Sequence, residues 1–318
     1  MEALRSQGRE SASECESTFR DQDCMTVAMA AAIAQDWQWQ GHKIRWTVAG
    51  EGQPLILLHG FGANLGHWRK NIPAIAAGGY RVYALDLLGF GASDKPDRDY
   101  SLDLWAELVN DFWTTHIQQP AWVVGNSIGA LLSLMLLVDQ PDRWRGGVLL
   151  NCAGGLNHRP EEMIWPLGWV MSSFAKVVNT PKIGPFLFNQ VRQRFRIRQT
   201  LRQVYGNRNA VTEELVDLLY GPSCDPGAYE VFAAILRSPA GPSPQELLPQ
   251  LQRPLLVIWG EADPWTPVSA SKIFQTADSE AVIEYLTLPA TGHCPHDERP
   301  ELVNPLILNW LDRQAIAA

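Results

Sequence analysis

At 318 residues, 46% hydrophobic and 19% charged, the chain has room for one large α/β domain, or for one domain carrying an insertion. Its net charge of −8 excludes a function that rests on a basic, nucleic-acid-binding surface. Five cysteines without C-x-x-C or metal-ligand spacing, no apolar run of membrane-spanning length and no secretory signal point to a soluble, cytoplasmic protein with free thiols.

Residues 1–36 read as a weakly structured N-terminal segment. The first two dozen are polar and without periodicity, Met25 is an alternative start, and Ala28 to Gln35 is a candidate short helix. Acids at Glu2, Glu10, Glu14, Glu16, Asp21 and Asp23 argue against an organelle transit peptide, which is acid-poor. The first part of an α/β core is expected over 37–155. Trp37 to Val48 alternates about a glycine and predicts an antiparallel hairpin. Leu55 to Leu58 is a continuous apolar run, as in a strand buried on both faces, and it leads into the glycine turn His59-Gly60-Phe61-Gly62. A second such strand, Val82 to Leu85, leads into a loop from Asp86 to Asp94, whose Ser93 has no apolar helix behind it. A helix is predicted from Ser101 to Ile117.

Trp122 to Val124 then reads as a buried strand and Ile128 to Val138 as an apolar helix, with Gly125-Asn126-Ser127-Ile128-Gly129 between them. That is the G-x-S-x-G pattern of a nucleophile elbow. A strand turning sharply into a helix strains its central residue, and flanking glycines let the backbones pack without a Cβ clash. Val148 to Leu150 is a further strand. From 156 to 249 no buried strand is legible; helical pieces (163–178, 185–205, 212–220, 228–237) punctuated by Pro and Gly predict an inserted helical cap over the strand ends. The core resumes over 250–318, with strands Leu255 to Trp259 and Ile283 to Leu288 and a helix from Val268 to Thr276. Strands alternating with helices mean a mostly parallel sheet flanked by helices.

A serine nucleophile needs a base, and the base an orienting acid, in the order Ser, Asp or Glu, His along an elbow fold. Asp263 lies just past a strand end and is the preferred acid over Glu261, Asp225 and Asp297. His293, in the loop after the last strand, is the preferred base over His296. The oxyanion donors are assigned to the backbone N–H groups of Phe61 and Ile128. His59 is read as a loop-bonding residue. Trp68, Trp265, Asn126, Trp165 and Trp169 are candidate pocket residues, and neither a metal nor an organic cofactor is expected.

Through these residues the chain from 37 to 318 resembles the α/β-hydrolases. More narrowly it is similar to the pheophytinase and chlorophyll dephytylase group of plants and cyanobacteria, through Trp68 to Pro73, Leu85 to Pro96, Gly292 to Pro305 and Glu214 to Gly227 in the cap. The resemblance implies an α/β-hydrolase fold with an inserted helical cap, a triad at Ser127, Asp263 and His293, and cleavage of the phytyl ester of chlorophyll-type pigments. An apolar cap face with Trp165, Trp169, Phe174, Phe186, Leu187 and Phe188 would shelter such an alcohol, and the cap is a candidate for peripheral contact with a photosynthetic membrane. The lack of a transit segment points to a cyanobacterial-like protein. A general carboxylesterase, a C–C bond hydrolase, a cofactor-free perhydrolase and a ligand-binding homologue remain the alternatives.

Overall fold

Residues 33–156, 178–180 and 183–317 are described in a computed structural model of the chain. One sheet is built from β1 (Ile33–Trp39), β2 (His42–Ala49), β3 (Gln53–Leu58), β4 (Tyr80–Leu85), β5 (Ala121–Asn126), β6 (Trp144–Leu150), β7 (Leu255–Gly260) and β8 (Ile283–Leu288), in the order β1-β2-β4-β3-β5-β6-β7-β8. The β1–β2 and β2–β4 pairs are antiparallel and all others parallel. Gln40 and Gly41, both at positive φ (49° and 80°), make the two-residue hairpin turn. Residues 33–35 belong to β1, so the helix expected up to Gln35 is strand at its described end.

Among the described residues, the α-helices of six or more residues are α1 (Ile72–Ala77), α2 (Leu102–Phe112), α3 (Ile128–Asp139), α4 (Ile183–Val191), α5 (Arg194–Val204), α6 (Glu213–Tyr220), α7 (Ala228–Arg237) and α8 (Pro300–Ala317). Ser101 caps α2 by accepting the Leu104 N–H at 3.1 Å, and a π turn over Trp113–Ile117 continues it. Between β6 and β7 the described residues form helices and no strand. The expected helix at 163–178 lies outside the described residues but for its last position.

Two apolar layers enclose the sheet. On one face Trp105, Leu108 and Phe112 of α2 and Leu132 and Met135 of α3 pack against Ile56, Leu58 and Val123. On the other, Trp68, Ile75 of α1, and Val303, Ile307 and Trp310 of α8 pack against Leu55, Leu57 and Val124. Helix α3 is buried at every position from Ile128 to Leu137, which is why its sequence is apolar all round. Each fully buried leucine there contributes about 1.5–3 kcal/mol.

This packing fixes where the chemistry can sit. The chain leaves β3 for β4 on one side and returns to β5 on the other, so the sheet reverses its winding between β3 and β5. Loops at the carboxyl ends of strands beside such a switch point form the crevice of open α/β sheets. The register places Leu58 opposite Gly125, Asn126 opposite Leu150 and Gly260 opposite Leu288. Hence the loops that begin at His59, Ser127, Asn151, Glu261 and Pro289 all open on the same edge.

Candidate active site

Ser127 sits between β5 and α3 at φ 56°, ψ −119°, a conformation that costs a non-glycine residue about 1–3 kcal/mol. Surrounding structure holds it there. Its N–H donates to Leu150 O (3.0 Å), and its carbonyl accepts from Ala130, Leu131 and Ala153 (3.0–3.1 Å). A Cβ at Gly125 would strike the backbone of Gly129, and one at Gly129 would strike Leu58 O, so both glycines are required. The serine side chain stands at the N-terminus of α3, where the helix dipole favours an alkoxide.

Asp263, 4% exposed, presents one carboxylate oxygen to His293 Nδ1 at 2.6 Å. The same oxygen accepts from Asn151 Nδ2 (2.7 Å) and from the Thr266 hydroxyl, while its other oxygen accepts the N–H groups of Trp265 (2.7 Å) and Thr266 (3.1 Å). Burial alone would push this carboxyl's pKa up. Hydrogen bonding to His293, the charge His293 can carry, and the bonds from Thr266 and Trp265 outweigh burial and hold it below the ordinary carboxylate value. With Nδ1 bonded to Asp263, Nε2 is the ring nitrogen left for a further partner.

The glycine turn after β3 closes the site. A Cβ at Gly60 would lie 3.2 Å from Ser127 Cβ and 3.3 Å from Asn126 Oδ1, so this turn abuts the elbow. Phe61 follows, and Ile128, the first residue of α3, has an N–H without an intrahelical acceptor. These are the two donors assigned to the oxyanion. His59 is held between strand ends: its Nδ1 contacts Gly60 O at 2.8 Å and its Nε2 accepts the Leu87 N–H at 3.0 Å. Burial lowers its pKa to about 4, which keeps it neutral and structural. Ser93 donates to Asp86 O and accepts the Arg45 N–H, so it too bonds loops together.

Two pocket assignments, Trp68 and Asn126, need correction. Trp68 is wholly buried against the His296 ring (centroids 4.2 Å apart) in the α1–α8 layer and lines no pocket. Asn126 is 2% exposed, and its amide bonds Leu150 O (3.1 Å) and His293 O (3.0 Å), tying the elbow to the histidine loop. Trp265 does flank the centre: it is 54% exposed with its ring 5.2 Å from that of His293. Trp165 and Trp169 lie outside the described residues. The rival acids are paired with other side chains or exposed. Asp225 pairs with Lys95, and Asp297 with Arg69 and Lys70, while Glu261 is exposed. His296 is buried against Trp68 and His67, and neither of its ring nitrogens has a hydrogen-bond partner among the described residues.

The residues not anticipated are Asn151, Thr266 and Glu298. Asn151 is fully buried at φ 43°; its Oδ1 accepts the Gly260 N–H (2.9 Å) while its Nδ2 donates to Asp263. An Asn directly after a buried strand end, on the edge shared with Ser127 and Asp263, was the available signal. Thr266 follows Asp263 in the D-x-x-T spacing of a side-chain-to-backbone turn. Glu298 accepts the N–H groups of Gly292 (2.8 Å) and of Asn207 (2.6 Å), just past cap helix α5, while His293 N–H donates to Val204 O at 2.8 Å. The histidine loop is thus clasped by the cap. Among the described residues no group of His, Cys, Asp or Glu is placed to share a metal ion.

The model of the alpha/beta hydrolase family matches residues 55–306. Pheophytinase from the chloroplast of Arabidopsis thaliana is 26% identical over 297 residues, covering 81% of this chain; the chain spans 60% of that relative's length. A 2-hydroxymuconate semialdehyde hydrolase from Pseudomonas sp. (strain CF600) is 31% identical over 283 residues, covering 85% of this chain and 90% of the relative. Among solved structures, a meta-cleavage product hydrolase from Pseudomonas fluorescens superposes with a TM-score of 0.72 at 27% identity, covering 88% of this chain and 98% of the other.

Proposed function

Because the chain belongs to the alpha/beta hydrolase family, we propose that it is a serine-dependent ester hydrolase whose substrate is an ester of a long apolar alcohol, the phytyl ester of a chlorophyll-type pigment. The observation that carries the hydrolytic part is the 2.6 Å Asp263–His293 contact at the strand edge that also holds the strained Ser127. In this mechanism His293 takes the Ser127 proton as the oxygen attacks the ester carbonyl. Phe61 and Ile128 N–H groups receive the developing oxyanion, worth about 3 kcal/mol of barrier each. His293 then protonates the departing alcohol, and water, activated by the same imidazole, releases the acid from the acyl-enzyme. Asp263 keeps the imidazole oriented and offsets its charge throughout.

An apolar approach to Ser127 supports the substrate class. The Phe61 ring meets those of Phe90 (5.9 Å) and Phe232 (6.1 Å), and Phe232 meets Phe188 of α4 (5.2 Å). This aromatic track leads from the oxyanion turn into the cap, and hydrocarbon laid along it gains roughly 25 cal/mol per Å² removed from water. The similarity to a pheophytinase favours a phytyl chain there. A second reading, cleavage of a C–C bond by the same three residues, is favoured by the 31% identity to a 2-hydroxymuconate semialdehyde hydrolase.

The test is product analysis after incubation with pheophytin a and chlorophyll a, with Ser127→Ala as control. Released phytol that falls by at least about 10⁴-fold in the variant is the expected result. Ser127-dependent turnover of p-nitrophenyl esters without phytol release would remove the pigment and keep the esterase. Turnover of a meta-cleavage product instead would transfer the assignment to C–C hydrolysis.

A further inference from the structure

The outer surface of the cap has a composition unlike the rest of the molecule. Between positions 183 and 208 there are six arginines and no acidic residue, in a chain whose net charge is −8. The same stretch exposes Ile183 (46%), Phe186 (61%), Val191 (50%) and Phe195 (53%). These are four of the eleven large hydrophobic side chains that are exposed among the described residues, and they fall on two consecutive helices, α4 and α5. A scattered surface apolar residue needs no explanation; a cluster does.

Not every arginine is free. Arg194 and Arg198 reach across to Glu213 and Asp217 of α6, and Arg192 bonds Asn189 and Cys224. Arg196 lies over the Phe195 ring at 5.0 Å, and it, Arg202 and Arg208 have no acidic partner among the described residues. A groove of about 370 Å³ is lined by Phe195, Arg198, Gln199, Arg202, Gln203 and Arg208. It joins three cations to the aromatic edge, a shape that takes a phosphate headgroup beside acyl chains.

We propose that α4 and α5 dock the protein on an anionic membrane surface, with arginines on the headgroups and Phe186 and Phe195 at the acyl boundary. Basic and bulky apolar side chains interleaved on exposed helices are what an interfacial helix requires. A second copy of the chain fits the same face less well, because a twofold contact would set these arginines against their own counterparts. Nucleic acid does not account for four exposed apolar side chains. Docked in this way, the cap would offer the aromatic track through Phe188 to a bilayer-resident ester. Membrane binding is nevertheless read without turnover, so it stands or falls apart from the substrate assignment.

The experiment is co-sedimentation of the full chain with vesicles of phosphatidylcholine, alone or with about a third phosphatidylglycerol. We expect binding only to the anionic vesicles, weakening as salt is raised. Arg196→Gln/Arg202→Gln/Arg208→Gln and, separately, Phe186→Ser/Phe195→Ser should each lower the bound fraction's partition coefficient at least about tenfold. Both variants should keep the parent's far-ultraviolet circular dichroism and thermal melt, which shows that they are folded. Parent protein that stays in the supernatant, or variants that bind as the parent does, would overturn the proposal. So would a dimer in light scattering that Phe186→Ser/Phe195→Ser dissociates, which would make the face a contact between copies.

Discussion

Asn151 donates to the Asp263 oxygen that holds His293, and it satisfies the buried Gly260 N–H with its own carbonyl. Removing it leaves a carboxylate short of one charge-assisted bond, worth about 1.5–3 kcal/mol, and a backbone donor without a partner. Asn151→Ala is therefore predicted to lower kcat by about tenfold or more and to destabilise the fold by about 1–3 kcal/mol, with KM changed little. Steady-state kinetics on p-nitrophenyl butyrate and a thermal melt would show this; kcat within twofold of the parent would sink it. The contrast with the proposed triad is instructive. Ser127, Asp263 and His293 are legible as candidates because each occupies a strand-end loop whose local chemistry announces it. Asn151 acts through a contact spanning 112 residues, and only strand register and a left-handed backbone bring it to Asp263. Trp68 was misread for the converse reason: closeness in sequence to the glycine turn says nothing about which layer of the sheet a side chain enters.

At the level of elements, the cap segment after α5 and the loop after β8 share one carboxylate. Glu298 is 3% exposed and binds the N–H groups of both Asn207 and Gly292, next to His293. Glu298→Ala would strip one buried and one half-buried donor at once, loosening the His293 loop from the cap, and kcat is predicted to fall about tenfold with a lower melting temperature. Glu298→Gln keeps one carbonyl acceptor and should recover part of both losses. If Glu298→Ala turned over like the parent, the clasp would have no role in holding His293. The strands themselves were easy to read, since β3, β5 and β7 are apolar runs buried on both faces. Helix α8 is hard to read from its pattern because Pro300 stands at its first position and Pro305 lies inside it, where the ring removes the N–H that would bond Glu301 O. Strand β8 departs from the pattern of β3, β5 and β7: it is an edge strand with only Leu288 buried.

Over the whole molecule, burial sets how stability responds to acid. His59 and His67 have pKa values lowered to about 4, and His296 is lowered well below its ordinary value; in each case burial penalises the imidazolium. Around His67 stand Asp297 on one side and Arg69, Lys70 and His293 on the other, and the cations add to the effect of burial. An unfolded chain takes up these protons near pH 6.5 while the folded protein refuses them until about pH 4. Stability is therefore lost as pH falls through that window, by about 1.4 kcal/mol per pH unit for each histidine. Burial lowers His116 in the same way. Three carboxyls oppose these four histidines: burial raises Asp86 to about 6 and raises Asp139 and Glu298 as well, so the folded state binds their protons first and gains stability as pH falls. Four groups against three, with Asp86 entering only near pH 6, leaves a net loss on the acid side. The depressed Asp263 adds a further loss below the ordinary carboxylate range, where its bond to His293 is broken by protonation. Urea unfolding at about pH 7.5 and about pH 5.5 should show a lower midpoint in acid with an unchanged slope. His67→Gln, which retains a partner for the Tyr205 hydroxyl, should flatten that dependence by one group's share. Equal or greater stability at the lower pH would mean that the buried carboxyls, not the histidines, dominate.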